Sequence, residues 1–252
     1  MGSTERFPSL RVVDYAVELE SVSGRNQAEE VLTVTYADGR SDRMRLHEYD
    51  RVYAIPGLYE EVVQDRLECA SPERIADAVV SQAAAAGQSP PELRVFDLGA
   101  GNGVVAEELG RRGVGTMVGL DNATEARAAA ERDRPELYVE YLVGDLADHP
   151  RVPAVIDEYG LNCLVAVGAL GLGHITATSF DAAWRRFPAG AWLAVTVPED
   201  LVEPGASDFG DYLEAETTAG RLEVLERERY RHRLLMDGSG VFYVAIVGRR
   251  TV

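Results

Sequence analysis

The chain has 252 residues, enough for one large α/β domain with an appendage, and a net charge of −17. All 25 of its basic residues are arginine, which excludes lysine Schiff-base chemistry within the chain. The acidic balance opposes phosphate backbones, so no nucleic-acid partner is expected.

No apolar run approaches the roughly 18 residues a membrane span needs, and the N-terminus has no apolar signal region. A cytoplasmic protein with no membrane partner is therefore expected. Cys69 and Cys163 lie far apart and read as reduced thiols, with no metal-ligand spacing in view.

Residues 1–87 read as an appendage. Stretches 12–19 and 31–36 are strand-like, and Ala37-Asp38-Gly39-Arg40 supplies a tight-turn signal before Met44, Arg45 and Leu46. The unpaired edge of such a hairpin could pair across a homodimer. Residues 48–87 read as helical. Pro56 leads into Leu58, Val62, Val63 and Leu67, and Ser71-Pro72-Glu73 opens a helix ending near Gly87. Residues 46–59 are dense in tyrosine, with Tyr49, Tyr53 and Tyr59, whose rings bury area while their hydroxyls find polar partners. Gln88-Ser89-Pro90-Pro91 is a boundary loop before a second domain over 88–252.

That domain opens with Val95-Phe96-Asp97-Leu98-Gly99-Ala100-Gly101-Asn102-Gly103. This is a short buried strand breaking into a glycine turn, and Val104, Val105 and Leu109 then recur at helical spacing. Glycines let a backbone approach a ligand, and the following helix points free N–H groups at it. Dinucleotide sites prefer G-x-G-x-x-G. Here the spacing is G-x-G-x-G with Asp97 just ahead, an acid that repels a pyrophosphate but can accept a hydrogen bond from an ammonium group. Asn102 reads as a turn former whose backbone N–H matters more than its amide.

Alternation continues. Residues 116–121 form a second buried strand ending in Asp121, followed by a helix over 123–132. Residues 138–143 form a third strand before Gly144-Asp145-Leu146, and 162–167 a fourth running into Gly168, Ala169 and Leu170. Strand–helix alternation implies a parallel sheet with right-handed crossovers. A fifth strand over 192–197 and a helix over 209–219 follow. Two strand patterns over 222–235 and 241–247 are then joined by Met236-Asp237-Gly238-Ser239-Gly240 as an antiparallel hairpin. The alternating basic run from Arg227 through Arg229, Arg231 and Arg233 suits one solvated face of an edge strand.

The glycine turn, the two strand-end acids and the closing hairpin together resemble the class I S-adenosylmethionine-dependent methyltransferases. The resemblance covers roughly residues 90–250. It implies a Rossmann-like, mostly parallel seven-stranded sheet with a C-terminal antiparallel hairpin, here carrying an N-terminal β-hairpin and helical appendage. It implies S-adenosylmethionine as cofactor and S-adenosylhomocysteine as product. By position, Asp97, Gly99, Ala100, Gly101, Asn102 and Gly103 would hold the amino-acid end. Asp121 and Asn122 would hold the ribose, Asp145 and Leu146 the adenine, and Val167 and Gly168 the fourth strand end. Taken singly, Asp121 and Asp145 read equally as helix-cap and turn residues; their joint placement selects the ligand role.

Small-molecule members carry a Tyr-Asp-x-x-Tyr-like lid, which assigns Tyr49, Tyr53 and Tyr59, with Leu170, to the lid and acceptor side; half-buried packing is the alternative. No Pro-Pro-aromatic segment stands at 167–171, which argues against adenine-N6 and glutamine methylation. Of His47, His149, His174 and His232, only His174 is expected over the methyl group, as a general base or as a cap of Ile175-Thr176. The expected activity is methyl transfer to an oxygen or nitrogen of a small-molecule acceptor, with no metal. A non-catalytic cofactor-binding scaffold and an NAD-dependent oxidoreductase are the rivals.

Overall fold

The computed structural model describes residues 14–170 and 175–252; the start of the strand expected over 12–19, and His174, lie outside them. The N-terminal part is a three-stranded antiparallel meander of β1 (Tyr15–Leu19), β2 (Val31–Tyr36) and β3 (Ser41–Arg45). The Tyr36 N–H bonds the Arg40 carbonyl, closing the Asp38-Gly39 turn. Period-two alternation puts Leu32, Val34 and Met44 on one buried face. That face packs on Val52 of α1 (Tyr49–Ala54) and on Val62 and Val63 of a following helix, Glu60–Arg66. There the Leu67 N–H reaches the Val62 carbonyl, a π-helical turn.

The seven-stranded sheet runs β6-β5-β4-β7-β8-β10-β9. Its members are β4 (Arg94–Leu98), β5 (Thr116–Asp121), β6 (Glu140–Val143), β7 (Cys163–Ala166), β8 (Trp192–Pro198), β9 (Leu222–Leu234) and β10 (Gly240–Arg250). The first five are mutually parallel, and β10 runs antiparallel to both β8 and β9. A sheet covered on both faces needs apolar side chains of both parities. Phe96, Leu164, Leu193 and Ile246 face α5 (Val152–Glu158), α6 (Ala177–Trp184) and α7 (Asp208–Thr218). Val95, Val165, Ala194 and Ala245 face α2 (Ser71–Ala85) and α3 (Val104–Arg111).

Residues 71–85 form α2, which buries Ile75, Ala76, Val79 and Ala83 against the large sheet. This helix is apolar along the stripe that meets the sheet.

The edge strand β9 departs from its simple pattern at one point. Arg227, Arg229 and Arg231 are solvated and pair with Glu203, Glu199 and Glu68. Arg233, expected on the same face, is instead 3 % exposed, and its neighbour His232 is 9 % exposed. The cause is a β-bulge. Arg233 pairs with Val241 and Arg231 with Phe242, so His232 is the extra residue. A bulge turns consecutive side chains to one side, which alternation forbids.

Arg233 meets Glu30 at 2.5 Å, and the Met236 N–H donates to the other Glu30 oxygen at 2.7 Å. The pair is 4 % and 2 % exposed in its side chains and joins the appendage to the hairpin. Removing one partner of such a pair leaves an uncompensated buried charge. Glu30→Ala is expected to lower the unfolding free energy by about 3–5 kcal/mol in urea denaturation; a loss below about 1 kcal/mol would show that the pair does not hold the two parts together.

Candidate active site

The carboxyl ends of β4, β5, β6 and β7 open on one cavity of about 610 Å³, where ligands of open α/β sheets bind. After β4 it is lined by Gly99, Ala100, Gly101 and Asn102, and after β5 by Asp121 and Asn122. Asp145 and Leu146 follow β6, and Val167 and Gly168 follow β7. These ten sequence-predicted residues, scattered over some seventy positions of chain, thus share one wall.

The glycine turn is held from behind. Asp121 accepts the Gly101 N–H at 2.9 Å and the Ala123 N–H at 3.0 Å, one on each carboxylate oxygen. Tyr141 donates to the Gly101 carbonyl at 2.6 Å. Gly101 has φ +52°, and a Cβ there would lie 2.5 Å from the Tyr53 hydroxyl. Only glycine fits both the turn and the tyrosine above it.

Three predicted residues stand elsewhere. Gly103 caps α3 with φ +87°, and a Cβ there would meet Tyr138, Arg134 and Leu137; packing, not cavity access, requires it. Leu170 is fully buried in the core beneath α6 and does not line the cavity, because its apolar side chain joins the sheet-to-helix packing. Asp97 lies behind the cavity wall at 1 % exposure. Its Oδ2 accepts from Tyr138 at 2.7 Å, while its Oδ1 is buried without a partner among the described residues.

The amide of Asn102 is not idle. It donates to Glu60 at 2.6 Å, and Arg134 joins Glu60 at 2.8 Å and Glu107 at 2.6 Å. The π-helix is thereby tied to the glycine turn. Tyr49, Tyr53 and Tyr59 all line the cavity. Tyr49 and Tyr53 stack at 5.7 Å, Tyr53 and Tyr59 tilt at 5.2 Å, and Tyr53 packs on Ala126 and Ala129 of α4 (Thr124–Asp133).

Beyond the tyrosines the cavity continues between the appendage, the start of α2 and the hairpin. Its walls there include Gln27, His47, Cys69, Ser71, His232 and Tyr243. Sequence reasoning did not find these residues. The bulge conceals His232 in a solvated-looking run, and Ser71 reads as a helix-start residue. Among the described residues no group of three His, Cys, Asp or Glu is placed to hold a metal ion, and no helix is long and apolar enough to cross a membrane.

Desolvation dominates the acids. Burial pushes Asp97 up from 3.8 to about 7, with the Tyr138 hydrogen bond opposing and the Asp121 charge assisting. Burial raises Asp121 as well, against the pull of its backbone N–H partners. Folded Asp97 therefore keeps its proton to near pH 7, whereas the unfolded carboxyl loses it near pH 4. Between those limits the folded state binds more protons, so stability falls as pH rises from about 4 to about 7. Asp97→Asn is expected to flatten that slope in urea titrations at stepped pH, and an unchanged slope would reject the assignment.

The sequence matches a methyltransferase domain family over residues 96–157. No curated protein matches it. Among solved structures the chain is similar to SAM-dependent methyltransferase from Anabaena variabilis at 14 % identity, covering 79 % of this chain and 95 % of that one with a TM-score of 0.50. The 4+2 cyclase SpnF is similar at 15 % identity, with 71 % and 81 % covered and a TM-score of 0.51. A candidate RNA methyltransferase from Pyrococcus horikoshii stands at 13 % identity, with 70 % and 82 % covered and a TM-score of 0.50. These likenesses establish the fold. The domain match over residues 96–157 and the glycine-turn motif are consistent with the class I S-adenosylmethionine-dependent methyltransferases, whose cofactor is S-adenosylmethionine.

Proposed function

We propose that the protein transfers the methyl group of S-adenosylmethionine to an oxygen or nitrogen of a small-molecule acceptor. The supporting observation is the shape of the cavity. Its far half is walled by the appendage, α2 and the hairpin, and the whole is about 610 Å³, within the range of small-molecule sites. A nucleic acid would also have to approach a chain of net charge −17 against electrostatic repulsion.

The residues fit the cofactor. Each Asp121 oxygen accepts one backbone N–H, which leaves lone pairs for two ribose hydroxyls. The unpartnered Oδ1 of Asp97, behind the cavity wall, suits a cationic amino group next to the turn reached through water rather than directly. Asp145 and Leu146 would take the adenine. Bound cofactor supplies an already activated methyl group, so the protein's task is to align the acceptor and exclude water. Tyr53, buried over Gly101, suits that exclusion. His174 remains the proposed general base, in the segment outside the described residues.

Calorimetric titration tests the reading. S-adenosylmethionine and S-adenosylhomocysteine are expected to bind and NADH is not; binding of NADH alone would replace this proposal with the oxidoreductase. Asp121→Ala should abolish cofactor binding in a folded protein. Gly101→Ala forces a strained φ and a clash with Tyr53, and should weaken binding at least about tenfold. Wild-type affinity in both variants would remove the glycine turn from the site.

A further inference from the structure

The bulge on β9 builds something the cofactor does not use. The Ser71 hydroxyl lies 2.5 Å from Nδ1 of His232 and 2.5 Å from the Tyr230 hydroxyl, all buried. His232 stacks on Tyr243 at 4.1 Å and 24°. The backbone is fixed as well: the His232 carbonyl accepts from Ala70, and the Leu234 N–H donates to Leu67. Every side-chain hydrogen bond of His232 among the described residues runs through Nδ1, and His232 lines the cavity. Nε2 is thus the ring's remaining polar atom for a ligand.

We infer that His232, oriented by Ser71, anchors the hydroxyl of an uncharged aromatic acceptor, a phenol, in the far half of the cavity. This rests on the methyl-transfer reading above. Three observations point to that chemistry. The ring's orientation is over-determined, by the Ser71 bond on one edge and the Tyr243 face on the other, as a recognition group requires. Among the described residues, Arg233 in this half is already held by Glu30 and Asp50 is exposed, so neither of these two offers a free counter-ion to a charged acceptor. The lining is rich in flat rings, from Tyr49, Tyr53 and Tyr59 to Tyr243, which favour stacking with another ring.

Burial lowers His232 to about 3, aided by the positive charge of Arg233. The ring is therefore neutral, and Nε2 donates or accepts according to which nitrogen carries the proton. A hydroxyl can answer either form. An ammonium, donor only, or a carboxylate, acceptor only, can answer one.

The test uses the S-adenosylhomocysteine-loaded protein and 4-methylphenol, which stays un-ionised at neutral pH, as probe, with benzoate and benzylamine as charged controls of similar size. Calorimetry should show saturable binding of 4-methylphenol and at least tenfold weaker binding of both controls. His232→Ala and Ser71→Ala should each weaken 4-methylphenol roughly tenfold with S-adenosylhomocysteine affinity unchanged. In the wild type, the probe should slow alkylation of Cys69, which lies 3.9 Å from the His232 ring, by iodoacetamide. That measurement needs no variant to fold. Absence of probe binding, equal binding by the controls or by folded variants, or unprotected Cys69 would each overturn the inference. A wild type that fails to bind S-adenosylhomocysteine would instead overturn the cofactor reading beneath it, and this inference with it.

Discussion

The buried carboxylate of Glu30 joins the two parts of this structure. It enters from the end of the first appendage loop, meets Arg233 from the edge of the other sheet, and takes the Met236 N–H as well. Arg233 also donates to the Leu234 carbonyl. In water such a pair contributes little, as with the exposed pairs Arg227–Glu203 and Arg229–Glu199 on the same strand. Buried, neither charge tolerates loss of the other. The pair therefore fixes the appendage on the hairpin, and the space between them is the far half of the cavity.

A second network acts at the near half. Glu60 of the π-helix bonds the Asn102 amide and Arg134, and Arg134 also bonds the Asn102 carbonyl. The segment carrying the tyrosines and the turn facing the cofactor thus share hydrogen bonds. Displacing one therefore does work on the other.

Most of the architecture was legible because it depends on local periodicity. The buried runs at 95–98, 116–121 and 192–197, and the Asp237-Gly238 turn, each carry their element in a few residues, and the observed strands agree. The strand expected over 138–143 starts at Glu140, because Tyr138 turns inward to Asp97. The cavity-lining acids and glycines were legible through resemblance. What was not legible depends on contacts distant in sequence. Nothing local reveals that Tyr138 and Tyr141 brace the glycine turn, that Leu170 belongs to the core, or that α2 covers the large sheet. Least visible was His232, since one inserted residue reverses the parity on which strand reading relies.

That inserted residue can be lost without moving its neighbours. Removing His232 altogether, rather than replacing it, would restore regular pairing between β9 and β10, with Arg231 still opposite Phe242 and Arg233 still opposite Val241. Arg233 would keep its inward face and its bond to Glu30, while the ring that walls the far half of the cavity would disappear. One deletion therefore separates the two tasks of this strand, holding the appendage in place and shaping the chamber beneath it.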